Sequence, residues 1–511
     1  MATFVVRRLI ASLFIFLAAT YLMYILTALS GDPLEDLRTS AAPNKEQLIA
    51  ARTRLLDLDV PVYLRYFLWI GGILGLRGKG FFDLGVTVQN QPVNVLLGQA
   101  AGSTLQLVTI ATLLAIVLGL IVGITTALRQ YSGYDYGVTF LSFLFFSLPI
   151  FWVAVLLKQY VAIGFNDFLR KPDIPYWIIP IFAIVAGLIW MSIIPRKGIQ
   201  KLWTFLIAAA VTAGILFYMD LTNWFASPHI GIVGIVITSI GIAVGITALS
   251  VGLKRRRALY ASLTVALVGI AIYFPFMYGF SYGLEAWGLA LLAVVTVVVS
   301  FFIGWFWGGD DRMPVARTTA IAGFLIAGVI ALDRYMFVWY QYTNSSRIKG
   351  RPIATIGAGT PGLEGSLWIQ GVDMFTHLLL PTIALILISF ATYTRYSRAS
   401  LLEVMNQDYI RTARAKGLTE RTVVVRHAFR NALIPIATVV AFDIGGIIGG
   451  AVITERVFGW TGMGALFQNG LDHVDPNPVM AFFLVTGGLA ILFNLIADLA
   501  YAGLDPRIRV S

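Results

Sequence analysis

Apolar residues in this chain gather into long unbroken runs divided by short polar turns. Leu9–Leu29, Leu105–Leu128 and Val138–Ile163 open the series. Ile174–Ile194, Leu202–Met219, Ile230–Leu253, Ala258–Phe280, Ala286–Trp307 and the more weakly apolar Thr318–Tyr335 follow. Phe375–Tyr393, Ala432–Ile453 and Val479–Tyr501 close it. A run of about 20 apolar residues crosses the hydrocarbon core as a helix, because backbone polar groups in lipid must be satisfied within the segment. The runs lack the two-residue alternation of a membrane barrel. The pattern therefore predicts an all-α polytopic membrane protein of about twelve spans. Between the first two runs, residues 30–94 form a mixed segment with Pro33, Pro43, Pro61 and Pro92. Within it, "YLRYFLWIGGILGL" is short for a span and carries Arg65, so it predicts an interfacial helix.

Composition agrees with this picture: 58% of the 511 residues are hydrophobic and only 12% charged, against roughly 25% charged in a soluble domain. The absence of cysteine excludes disulfides and thiolate metal sites. Arg7 and Arg8 precede the first run as in a secretory leader, but Leu9–Leu29 exceeds the roughly 7–15 apolar residues of such a leader. A retained first helix is expected.

The net charge of +11 would suggest nucleic acid in a soluble chain; here the positive-inside rule accounts for it, and no nucleic-acid partner is expected. Arg196, Lys197, Lys201, the run Lys254–Arg257, Arg312 and Arg317 all fall on turns of one side. The opposite turns "DLTNWFASPH" and "SYGLE" carry neither Lys nor Arg, although the exterior loops around Arg170 and 347–351 depart from the rule. This parity predicts cytoplasmic N- and C-termini and a multi-pass protein of the inner (cytoplasmic) membrane.

It also places the basic stretch "DYIRTARAKGLTERTVVVRHAFRNALIP", Asp408–Pro435, in the cytoplasm. A helix over Met405–Lys416 would group Tyr409, Thr412, Ala413 and Lys416 on one side, and Gly417 would end it. A second helix over Glu420–Phe429 would take Thr419 as its N-cap. The small Ala413 and Ala415 would let another surface approach closely. Two readings stand open on the residues alone: a docking elbow for an acidic cleft, and an ordinary basic juxtamembrane loop.

The same stretch resembles the coupling loop of importer permeases, the EAA motif: Ala413 and Gly417 match its general form, and "DYIRTARAKGL…RHAFRNALIP" is very similar to its variant in the B-type permease subunits of the dipeptide/oligopeptide/nickel ATP-driven importer family. Further resemblances follow in order: "VRRLI", "SGDP", "RLLDLDVP" with Asp57 where Gly is usual, "FDLG", "STLQL", "SLPIFW", "HLLLPTIAL", "GGAVITERVFGWTGMGAL" and "DLAYAGLDPRIR". They cover residues 1–165 and about 370–511. The implied fold is a type I importer permease core, in parts 1–165 and 365–511, with the coupling loop at 402–430. Residues 166–364 would be an insert of about six further spans. An even number of spans keeps the coupling loop cytoplasmic.

The resemblance implies a transmembrane path for peptides or similar solutes, with nickel complexes or oligosaccharides as alternatives. It also implies a second homologous permease as heterodimer partner, two cytoplasmic ATPase subunits and an extracytoplasmic binding protein. The chain has no G-x-x-x-x-G-K-[ST] loop, so ATP and Mg would bind to the partners. It would be no enzyme, with no catalytic residue and no cofactor of its own. Asp408, Tyr409, Arg411, Thr412, Ala413, Arg414, Lys416 and Gly417 are the candidate ATPase-coupling residues.

Asp443, inside a span, would line the path or pair within the bundle, since an intramembrane carboxylate costs about 3 kcal/mol. Gly445, Gly446, Gly449 and Gly450 suit close helix packing. Glu455 belongs to the candidate gate, with Trp460 as an alternative interfacial anchor. Asp472, His473 and Asp475 are expected to be solvated rather than metal-binding, and the four histidines isolated. An ion-gradient transporter would need several buried charges on broken helices, and the runs hold few. A non-transporting scaffold, or an enzyme embedded through the insert, is the other alternative; the insert's polar residues cluster at its loops, so no active-site constellation can be named.

Overall fold

The computed structural model describes residues 2–76, 80–194 and 196–504; side chains at 2–5, 421, 434, 438, 441–442, 444–450 and 496–504 lie outside the description. Among the helices are α1 (Ala2–Leu29), α2 (Val62–Ile73), α3 (Val93–Leu128), α4 (Gly133–Ser147) and α5 (Ile150–Arg170). Then come α6 (Ile178–Ile193), α7 (Ile199–Leu221), α8 (Gly231–Ser250), α9 (Arg256–Pro275), α10 (Ala286–Trp307) and α11 (Arg312–Phe337). The series ends with α12 (Leu367–Met405), α13 (Asp408–Ala415), α14 (Phe429–Gly450), α15 (Val452–Phe458), α16 (Met463–Asp472) and α17 (Pro476–Leu504).

The protein is an all-α polytopic membrane protein. Among the described residues nine helices are long and apolar enough to cross a membrane, and up to ten if a bent pair counts as one span. The distance from the expected twelve lies in three segments. The run Val138–Ile163 is not one straight helix: α4 and α5 meet at a 103° bend. The cause is local, because Leu148 precedes Pro149 and takes extended backbone (φ −83°, ψ 130°), as the proline ring demands. The run Ile174–Ile194 becomes the 16-residue α6, about 24 Å at 1.5 Å per residue. The run Ala432–Ile453 becomes α14 and the start of α15, and falls partly among residues whose side chains are not described.

The chain divides into two compact units. The first comprises Met1–Val161, Thr355–Ala358 and Leu378–Ser511. In it, Gly119 and Gly123 of α3 let α12 approach: a Cβ at Gly119 would lie 2.5 Å from that of Tyr393. Ser397 Oγ then donates to the Gly119 carbonyl at 3.1 Å. This is a small-x-x-x-small contact, the usual means of bringing helices together in lipid. The mixed segment between the first two runs docks on the loop before α17. There Asp475 Oδ2 accepts the Val88 N–H at 2.8 Å and Asn477 Nδ2 donates to the Val86 carbonyl at 2.7 Å. Asp57 sits at φ +54°, the left-handed region that favours glycine and that Asp tolerates better than most residues.

The second unit comprises Ala162–Ala354 and Gly359–His377. Its core is built from α8, α9 and α11, with Ile235, Val265, Ile326 and Trp368 buried at its centre. α10 lies along α11, where Gly304 faces the Ala316 backbone and Gly323 faces Ser300.

Candidate coupling and gate site

Helix α13 is eight residues long and rests on an apolar floor. Ile410 is fully buried and Ala413 nearly so, three residues apart and therefore on one face. They meet Ala127 at the end of α3, Leu401 of α12, and Val423, Ala428 and Ala432 beyond the bend. The small size of Ala413 is thus used inward, against this chain, and not to admit another surface. Asp408, Tyr409, Arg411, Thr412, Arg414, Lys416 and Gly417 are exposed. The expected single face of Tyr409, Thr412, Ala413 and Lys416 is therefore split, with Ala413 beneath and the others above.

Gly417 ends the first arm at φ +77° with open space around it, so its role is conformational. Arg414 reaches across it and donates to both Glu420 oxygens, at 2.7 and 3.2 Å. That guanidinium holds the Glu420 carboxyl below the usual range. Thr419 caps the next turn as expected, its hydroxyl accepting from the Thr422 N–H. The second arm is not a separate helix: after Glu420–Thr422 a π-helical turn, Val423–Ala428, leads straight into α14. Asn431 at the start of α14 donates to the Tyr409 hydroxyl at 3.0 Å.

Glu455, on α15, is fully buried. Thr104 Oγ1 donates to its Oε1 at 2.6 Å, and the Gly464 and Ala465 N–H groups donate to its Oε2 at 2.7 and 3.2 Å. The Thr104 hydroxyl also accepts the Met463 N–H at 2.7 Å. One carboxylate thus fastens α3, α15 and α16. Burial pushes its carboxyl up, against the pull of these donors. A Cβ at Gly462 would strike Glu455 and Thr104, and one at Gly464 would lie 2.6 Å from the Val452 backbone. That is the physical content of "TERVFGWTGMG". Trp460 is buried against Leu107 and Leu378, so it is a core residue and not an interfacial anchor.

Asp443 on α14 is half-buried, on the side of the helix near Tyr393 of α12. The surroundings of Gly445, Gly446, Gly449 and Gly450, and the side chain of Asp498, lie outside the described residues. Asp475 is buried at 2% exposure and not solvated as expected. His377 is also buried, 3.5 Å from Asp373 Oδ1, and so is not isolated. Among the described residues no cluster of His, Cys, Asp or Glu could hold a metal ion.

Two charged contacts were not foreseen from the sequence. Arg398 of α12 donates to both oxygens of Asp135 at 2.8 and 3.0 Å, with the carboxylate almost wholly buried. Ser132 caps α4 by accepting the Asp135 N–H, so "SGYD" was a readable helix start with an acid three residues on. Lys158 of α5 donates to the Val457 carbonyl at 2.9 Å, tying the bent segment to α15.

Residues 348–510 match the family described as binding-protein-dependent transport system inner membrane component. The chain is 26% identical over the full length of both proteins to an oligopeptide transport system permease protein of Mycobacterium tuberculosis. To a dipeptide transport system permease protein of Escherichia coli it is 31% identical over 272 residues, covering 53% of this chain and 67% of that one. To a putative peptide permease protein of Brucella ovis it is 44% identical over 170 residues, 33% of this chain and 51% of that one. The chain belongs to the family of binding-protein-dependent transport inner-membrane components, the multi-pass permease subunits of ATP-driven importers, in which a separate subunit is the ATPase.

Proposed function

We propose that this permease forms half of the transmembrane path of a peptide importer. A second homologous permease supplies the other half, two ATPase subunits bind ATP and Mg in the cytoplasm, and an extracytoplasmic protein delivers the peptide. The termini lie in the cytoplasm, as the basic turns require. The observation that carries this reading is the elbow. A short helix is anchored by Ile410 and Ala413 and offers Tyr409, Arg411, Thr412 and Lys416 to solvent. A rigid base under a cationic face suits docking on a separate, acidic subunit and transmission of its motion. The names of the relatives favour peptides over nickel complexes or oligosaccharides. Residues 166–364 form an insert in the permease chain in this reading.

The chain has no cysteine, so Tyr409→Cys introduces a unique thiol. It should form a crosslink to an ATPase subunit bearing a cysteine in its docking cleft, with a yield that changes on ATP binding. An intact complex with no crosslink at any cleft position would refute the docking role. Asp443 we place on the path, where its carboxylate meets the peptide amino terminus with Tyr393 beside it. Asp443→Asn should then weaken uptake of free-amino peptides about tenfold, the scale of one charge-assisted hydrogen bond, and leave N-acetylated peptides unaffected. Equal losses for both would remove Asp443 from that role. Glu455, enclosed by its donors, holds the gate segment together and does not line the path.

A further inference from the structure

Within the second unit, α8, α9 and α11 and the first turn of α12 surround a cavity of about 900 Å³. That is the size of a small-molecule site, which runs to roughly 300–1,000 Å³. Arg334, near the end of α11, lines it and is only 3% exposed. The guanidinium lies over three rings: Tyr282 at 4.8 Å, Phe337 at 5.3 Å and Trp368 at 5.8 Å. Its Nε has no hydrogen-bond partner, and no ion pair among the described residues involves it. The adjacent Asp333 does not help. Its carboxylate is taken by the Tyr273 hydroxyl at 2.6 Å and the Ile230 N–H at 2.5 Å, and consecutive helix residues face different ways.

An arginine cannot shed its proton, and burial of an unpaired charge costs far more than ring contacts return. The missing partner is an oxyanion, which a guanidinium fork takes two oxygens at a time. Seven aromatic side chains line the cavity, Tyr278 among them, so the same occupant needs an apolar body beside its head. Glu364, exposed on the lining, weighs against a bare multiply charged ion. We propose that this cavity binds an amphiphile with a singly charged oxyanion head, a phosphodiester or a carboxylate. The head sits in the fork of Arg334 and the apolar part lies against Tyr278, Phe337 and Trp368.

The test is a titration of the purified full-length protein in detergent, read by thermal shift and by native mass spectrometry. The probes are short-chain phosphatidylglycerol, dodecanoate, the uncharged dodecyl maltoside and inorganic phosphate. Saturable binding of phosphatidylglycerol or dodecanoate alone is expected; preference for the first assigns a membrane lipid, preference for the second a water-borne acid. Arg334→Gln should weaken that binding about tenfold or more, the loss of a charge-assisted bidentate contact. Should Arg334→Gln fail to fold, Ser366→Trp narrows the cavity from an exposed lining position and should abolish binding with Arg334 in place. Binding unchanged in the folded variants, equal binding of dodecyl maltoside, or binding of inorganic phosphate alone would overturn the proposal.

Discussion

Asp475 illustrates how a single side chain couples two distant segments and makes their junction sensitive to pH. Burial lifts its carboxyl to about 6 from 3.8, although the Val88 and Asn477 N–H groups pull it down. An acid raised in the folded state keeps a proton that the unfolded chain has released. Its contribution is therefore complete below about pH 4 and is lost as pH rises through about 6, a change on the order of 3 kcal/mol. Asp475→Asn keeps an acceptor for Val88 and removes the charge. The variant should melt above the wild type at pH 7.5 and close to level with it near pH 3.5; an identical difference at both pH values would disprove this. In the sequence, Asp475 looked like one of three loop polars, because burial produced by Val88 387 residues away leaves no local trace. Glu455 was picked out for its segment, but the purpose of that segment's glycines became visible only with Thr104 opposite them.

At the scale of elements, the elbow was legible in outline. Gly417 as terminator and Thr419 as cap follow from local chemistry and are found in place. The inward turn of Ala413 was not legible, because it depends on the ends of α3 and α12 arriving beneath it. Gly417→Val should strain the elbow, since a β-branched residue at φ +77° costs about 1–2 kcal/mol or more. ATPase activity should persist while uptake falls at least severalfold, measured together in reconstituted vesicles. Uptake in step with hydrolysis would mean that the bend carries no motion. Pro149 shows the limit of hydropathy: averaged over its length the run reads as continuously apolar, while the backbone breaks at Leu148 and Pro149. Pro381 and Pro435 lie inside their helices, so proline alone did not decide the matter.

For the whole molecule, the apolar runs give the all-α polytopic class directly, because lipid leaves a helix no alternative to internal hydrogen bonds. The ordered resemblances lie at the two ends of the chain, while the middle carries no recognised motif. Arg334 stands in that middle stretch, in "IALDRYMF", and nothing in the local pattern distinguishes a caged guanidinium from a charge at a helix end. The account as a whole rests on ATP-driven movement of peptide through this chain and its partners. The most direct measurement is uptake of a labelled oligopeptide into proteoliposomes holding the complete complex and its binding protein, with ATP inside the compartment that the ATPase subunits face. Uptake that requires ATP and the binding protein, and that persists when ion gradients are collapsed, is the predicted result. Uptake that follows an imposed ion gradient and ignores ATP would contradict it.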